Sequence, residues 1–157
     1  MDEEQFKRLK LSATLIECPF EKTIQQRRYR CTLADSLNIG ERETVSCSAR
    51  HAAWRCRAFL GRLRSKSSFA MGRKDSPVML SYARVMQIQL GGLAGLAAEL
   101  GDSPAADHGA DPTGSQPPAD IAALLDDAEE RYGGVEDFPF SEIMRTLVHT
   151  RVRGRRQ

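Results

Sequence analysis

Residues 79–100 read MLSYARVMQIQLGGLAGLAAEL. Met79, Ala83, Met86, Leu90, Leu93, Ala97 and Leu100 return at steps of four and three, the repeat of one helical face. Gly91, Gly92 and Gly95 weaken the helix locally but let another backbone come close. The stretch therefore predicts a long helix, started by Ser76-Pro77 and packed against a neighbouring helix. Immediately upstream, SARHAAWRCRAFLGRLRSKSSFAMG (48–72) predicts a second long helix, with Ser48 as N-cap and Gly72 as its end. Ala53, Cys56, Leu60 and Leu63 form its inner stripe, and Arg55, Arg57, Arg62 and Arg64 cover much of the rest.

The elements further out are shorter. Acidic residues followed by Phe6, Leu9, Ala13 and Ile16 at helical spacing predict a first helix. Pro19 fits the first position of a second, with Phe20 and Ile24 facing inward. Between Tyr29 and Cys47, Tyr29, Cys31 and Leu33 alternate with polar residues, as do Val45 and Cys47. This predicts a β-hairpin over about 29–47, competing with a continuation of the second helix through Cys31. Downstream, GDSPAADHGADPTGSQPPAD is a Pro/Gly-rich linker. Asp120 then caps an acidic helix ended by Gly133-Gly134, and a last helix begins near Ser141. The expected fold class is mainly α. A helical domain with the cysteines spans 1–100, a flexible linker 101–119, and an acidic helical segment with a basic C-terminal tail 120–157.

Charge is unevenly placed. Residues 1–74 hold 16 Lys/Arg against 8 Asp/Glu; residues 75–150 hold 3 against 13; four arginines follow. The halves can compensate within the molecule or offer two faces to different partners. The N-terminus has no apolar signal core, and no apolar run is long enough for a membrane span. The expectation is a soluble cytoplasmic chain whose thiols stay reduced.

All four cysteines, Cys18, Cys31, Cys47 and Cys56, fall in the first 56 of 157 residues. Such clustering is what a shared site produces. In a hairpin centred on Ile39, Cys31 lies opposite Cys47 and Leu33 opposite Val45, with side chains on one face. Cys56 points inward on its helix. Cys18 and Cys47 each precede a helix start, where free N–H groups favour a thiolate. Zinc sites favour closely spaced ligand pairs such as CxxC, with each sulfur ~2.3 Å from the metal. The gaps here are wider, and they suit an iron–sulfur cluster better than zinc. The alternative is four reduced cysteines acting as small buried apolar residues. His51 is a substitute ligand on the same helix.

The cysteine framework, about a third of the chain, resembles that of small helical proteins carrying a four-cysteine 4Fe-4S cluster. The absence of a CxxCxxC run departs from ferredoxins of the common type. The resemblance implies metal binding by Cys18, Cys31, Cys47 and Cys56. It also implies electron transfer or redox sensing with a protein redox partner, neighbouring arginines offsetting the cluster's negative charge. A different class of function is a nucleic-acid-binding or adaptor module using Arg27, Arg28, Arg30, Arg55, Arg57, Arg62 and Arg64, with Tyr29 or Trp54 stacking on bases. The sequence has no P-loop, GxGxxG, GxSxG or HExxH, and its three histidines support no hydrolytic triad.

Overall fold

A computed structural model describes residues 2–13, 16–71, 80–101 and 118–152. The elements run α1 (Glu3–Ala13), α2 (Glu21–Gln25), β1 (Ala34–Ile39), β2 (Arg42–Cys47), α3 (Arg50–Ala70), α4 (Tyr82–Glu99), α5 (Ile121–Tyr132) and α6 (Phe140–His149), with a 3-10 turn at Val135–Asp137. The mainly α reading and its small hairpin are therefore met. Among the described residues no helix is long and apolar enough to cross a membrane.

Helix α4 is the centre. Ser81 caps it by accepting the Arg84 N–H, and Met86, Leu90 and Leu93 are buried as the periodicity requires. Ile88, Gln89 and Leu96 are buried too, so the helix is enclosed on more than its apolar stripe. Its glycines make this possible. A Cβ on Gly91 would lie 2.8 Å from the Leu147 Cα, and one on Gly95 would lie 2.8 Å from the Ile143 carbonyl oxygen. Both obstacles are backbone of α6, so the two helices touch with nothing between. Gly92 instead faces the side chain of Leu63 on α3. The proposed start at Ser76-Pro77 and Met79 lies outside the described residues.

Ala53, Leu60 and Leu63 line the inner side of α3 as expected. Its cap is Ala49 rather than Ser48, whose hydroxyl instead donates to the Leu33 carbonyl at 2.9 Å. Helices α5 and α6 share the core with α3 and α4, through Ile121, Leu125, Ile143 and Leu147. Phe59 sits amid the rings of Phe20, Phe138 and Phe140, 5.7–6.4 Å between centroids. Asp120 caps α5 by accepting the Ala122 N–H, and Gly133, at φ 97°, ends it. Of the expected linker, only Gly101, Pro118 and Ala119 are described.

Three local expectations are corrected. Helix α2 starts at Glu21, so Pro19 precedes it by two residues. Leu9, placed on the inner stripe of α1, is 41% exposed, because α1 lies against the hairpin rather than in the core. The hairpin register also differs. Ala34, not Cys31, faces Cys47, and Ser36 faces Val45. The loop is Gly40-Glu41, with Gly40 at φ 62° and Glu41 at negative φ. A glycine first in a two-residue loop is the type II′ pattern. That turn, not the alternation upstream, sets the pairing, because Asp35 to Asn38 are all exposed and Ile39, beside the turn, is the one buried residue of β1.

Candidate functional site

The four cysteines reach one place by four routes. Residues 16–18 run along the free edge of β2. The Cys18 N–H donates to the Val45 carbonyl (3.3 Å) and the Cys47 N–H to the Ile16 carbonyl (2.9 Å). This puts Cys18 beside the end of β2, where Cys47 is the last residue. Glu21 locks the arrangement. One of its carboxylate oxygens accepts from the Val45 N–H (2.9 Å) and the Thr44 hydroxyl (2.8 Å), the other from Lys10 (3.0 Å).

Cys31 lies outside the hairpin, in the turn before β1, where the Ala34 N–H donates to its carbonyl at 3.1 Å. The N-terminus of α5 holds that turn. The Ile121 N–H donates to the Arg30 carbonyl (2.8 Å), the Arg30 N–H to the Ala119 carbonyl (3.0 Å), and the Thr32 N–H to Asp120 (3.1 Å). Cys56 comes from the inner stripe of α3.

Cys18, Cys31, Cys47 and Cys56 all line one cavity, walled by Phe20, Ile24, Ala52, Ala53 and Ile121. Its free space is about 20 Å³, room for about one water. All four thiols are free and half-buried. Burial pushes Cys18 up to about 12 and Cys56 to about 12, and it raises Cys31 as well. A thiolate on any other of the four raises Cys56 further, so the sulfurs share one electrostatic environment. Without a cation the Cys18, Cys31 and Cys56 thiols are protonated at neutral pH, and a bound cation must displace those protons. Backbone hydrogen bonds offset part of this rise, while the Glu21 and Asp120 carboxylates add to it at Cys18 and Cys31 respectively. Hydrogen bonds from Phe20 favour the Cys18 thiolate, and bonds from Leu33 and Ala122 favour that of Cys31. Ala122 is in the first turn of α5, where its N–H is also accepted by Asp120 (3.1 Å) and the helix dipole favours anions.

Arg55 also lines the cavity. Its side chain is only 10% exposed, and its terminal nitrogens meet Asp126, Glu129 (3.1 Å) and the Ala122 carbonyl (3.4 Å). Burial opposes its charge, but the two carboxylates outweigh that and hold it more firmly protonated. Nε is left buried with no hydrogen-bond partner among the described residues. An orphaned buried N–H of this kind costs about 1–3 kcal/mol.

Among the described residues, no group of three or more His, Cys, Asp or Glu side chains is arranged to hold a single metal ion. A tetrahedral zinc site needs its sulfurs roughly 4 Å apart, given bonds of ~2.3 Å. The donor set is four thiols around one apolar cavity. Four cysteine thiols are the donor type of an iron–sulfur cluster, and such a cluster is larger than the cavity's free space of about 20 Å³.

The other candidates are spread out. His51 is exposed and does not line the cavity. Arg27, at φ 58°, and Arg28 follow α2. Arg30 donates to the Pro118 carbonyl and lies 3.9 Å from Asp120. Arg57, Arg62 and Arg64 are exposed on α3, and Trp54 is 66% exposed. Tyr29 is 3% exposed and offers no face for stacking on a base. Sequence reasoning missed Ala122 and the orphaned Arg55 Nε. The Asp120 cap was a visible signal for α5, but nothing in the chain says that this helix begins beside Cys31.

No family model, curated protein or solved structure matches the chain.

Proposed function

We propose that the protein is a small iron–sulfur protein acting in electron transfer or redox sensing with a protein partner in the cytoplasm. Cys18, Cys31, Cys47 and Cys56 are the ligands of a 4Fe-4S cluster. The supporting observation is that all four cysteines, from four separate segments, line one cavity. The cluster supplies one-electron chemistry when bound. The chain supplies the rest. Phe20, Leu33 and Ala122 stabilise the thiolates with backbone N–H groups, and Phe20, Ile24 and Ile121 give the cavity apolar walls. Because the closed cavity is about 20 Å³, seating a cluster requires the cysteine side chains to rotate outward.

Anaerobic purification followed by iron, sulfide and zinc analysis and a visible spectrum tests this reading. The expected result is about four iron and four sulfide per chain, lost on substitution of any one cysteine by serine. A colourless, metal-free, folded protein would contradict it.

A second reading is a binding module for nucleic acid or an acidic protein, with the cysteines structural or zinc-bound. It is favoured by Trp54, Arg57 and Arg64, which are exposed along one line of α3 at steps of three and seven. Affinity for DNA or RNA that falls steeply with salt would support it.

A further inference from the structure

Of the seven arginines considered above for anion binding, Arg55 alone lines the cysteine cavity. Its terminal nitrogens are turned to α5, where Asp126, Glu129 and the Ala122 carbonyl accept from them. The guanidinium is thus clamped, and Nε is the one nitrogen left buried and unpaired among the described residues. A buried N–H is rarely left without an acceptor. The surrounding walls are Ile24, Ala52, Ala53 and Ile121, which offer no side-chain acceptor, while the sulfurs of four cysteines share the cavity.

We propose that Arg55 donates a hydrogen bond from Nε to a sulfur of the bound centre, either a cluster sulfide or a cysteine thiolate, and so raises its reduction potential. This rests on the iron–sulfur reading. Reduction adds negative charge to the sulfurs, and a fixed cationic donor stabilises that form more than the oxidised one. The clamp matters as much as the charge. Asp126 and Glu129 hold the fork in place, so Nε is positioned before the centre is reduced. Arg55 is a positioning and tuning residue that does not replace a ligand.

Two measurements test it. Protein labelled with ¹⁵N-arginine and reduced under argon is examined by pulsed electron–nuclear double resonance. A resolved ¹⁵N coupling is expected, and its absence would overturn the hydrogen bond without any variant. Redox titration then compares wild type with Arg55→Lys and Arg55→Gln. Both variants are expected to keep wild-type iron and sulfide and to show a lower midpoint potential, with the larger drop in Arg55→Gln. Arg55→Lys keeps the charge but has no Nε fork, so it separates position from charge. Loaded variants with unchanged potential would reduce Arg55 to a structural ion pair. Wild-type protein lacking iron and sulfide would instead overturn the cluster itself, and this proposal with it.

Discussion

The contact between α4 and α6 predicts opposite signs for two identical substitutions. Gly95 lies where a Cβ would sit 2.8 Å from the Ile143 carbonyl oxygen and 3.0 Å from its Cα. Backbone cannot swing aside as a side-chain tip can, so α6 must shift as a unit. Overpacking of this kind costs about 1–3 kcal/mol, and rigid backbone belongs at the upper end. Against that, Ala is better than Gly in a helix interior by about 1 kcal/mol. The net for Gly95→Ala is a loss of about 2 kcal/mol. Gly61 on α3 is exposed, and a Cβ there meets nothing within 4 Å. Gly61→Ala therefore keeps the propensity gain alone, about 1 kcal/mol of added stability. Urea unfolding of the metal-free proteins, followed by far-ultraviolet circular dichroism, gives both values from midpoint and slope. A Gly95→Ala protein as stable as wild type would refute the direct backbone contact, and with it the placing of α6 on α4.

Other predictions concern the core, the caps and the thiols. Phe59→Ala removes a fully buried ring touching Phe20, Phe138 and Phe140, and should cost about 3–5 kcal/mol in the same urea assay. Asp120→Ala removes the α5 cap and the acceptor for the Thr32 N–H. It should cost about 1 kcal/mol and raise the amide exchange rate at Thr32 and Ala122. Cys18 and Cys56 are pushed up to about 12 in the folded chain, from near 9 when unfolded. The folded state then holds more protons than the unfolded one above pH 9. Metal-free protein should lose stability as pH rises from 9 to 12, and a Cys18→Ala/Cys56→Ala protein should lose less over that range. Alkylation by iodoacetamide at pH 8 should be slow at both cysteines in the folded, metal-free chain and fast in urea.

The helices were legible because their signals are local. The four-three repeat of Met86, Leu90 and Leu93, the Asp120 cap and the Gly133 stop each act within a turn or two of themselves. The cysteine site was legible only as a clustering in sequence. Its geometry depends on long-range pairings that no local pattern encodes. The strip 16–18 adds to β2, and the N-terminus of α5 clasps the turn at Cys31. The hairpin register differs from the expected one because β1 buries only Ile39, next to the turn, and gives no alternating pattern to fix its phase, while Gly40 sets the turn. The arginines of α3 look alike in sequence, and only the fold separates Arg55, buried against α5, from exposed Arg57, Arg62 and Arg64.

The central claim is that one cavity gathers four thiols onto one iron–sulfur centre. Native mass spectrometry of protein purified without oxygen, with and without prior alkylation, tests it most directly. The prediction is a single species equal to the chain plus four iron and four sulfide, with all four cysteines shielded from the alkylating reagent. A mass equal to the bare chain, or to the chain with one zinc, with cysteines that alkylate independently of one another, would contradict it.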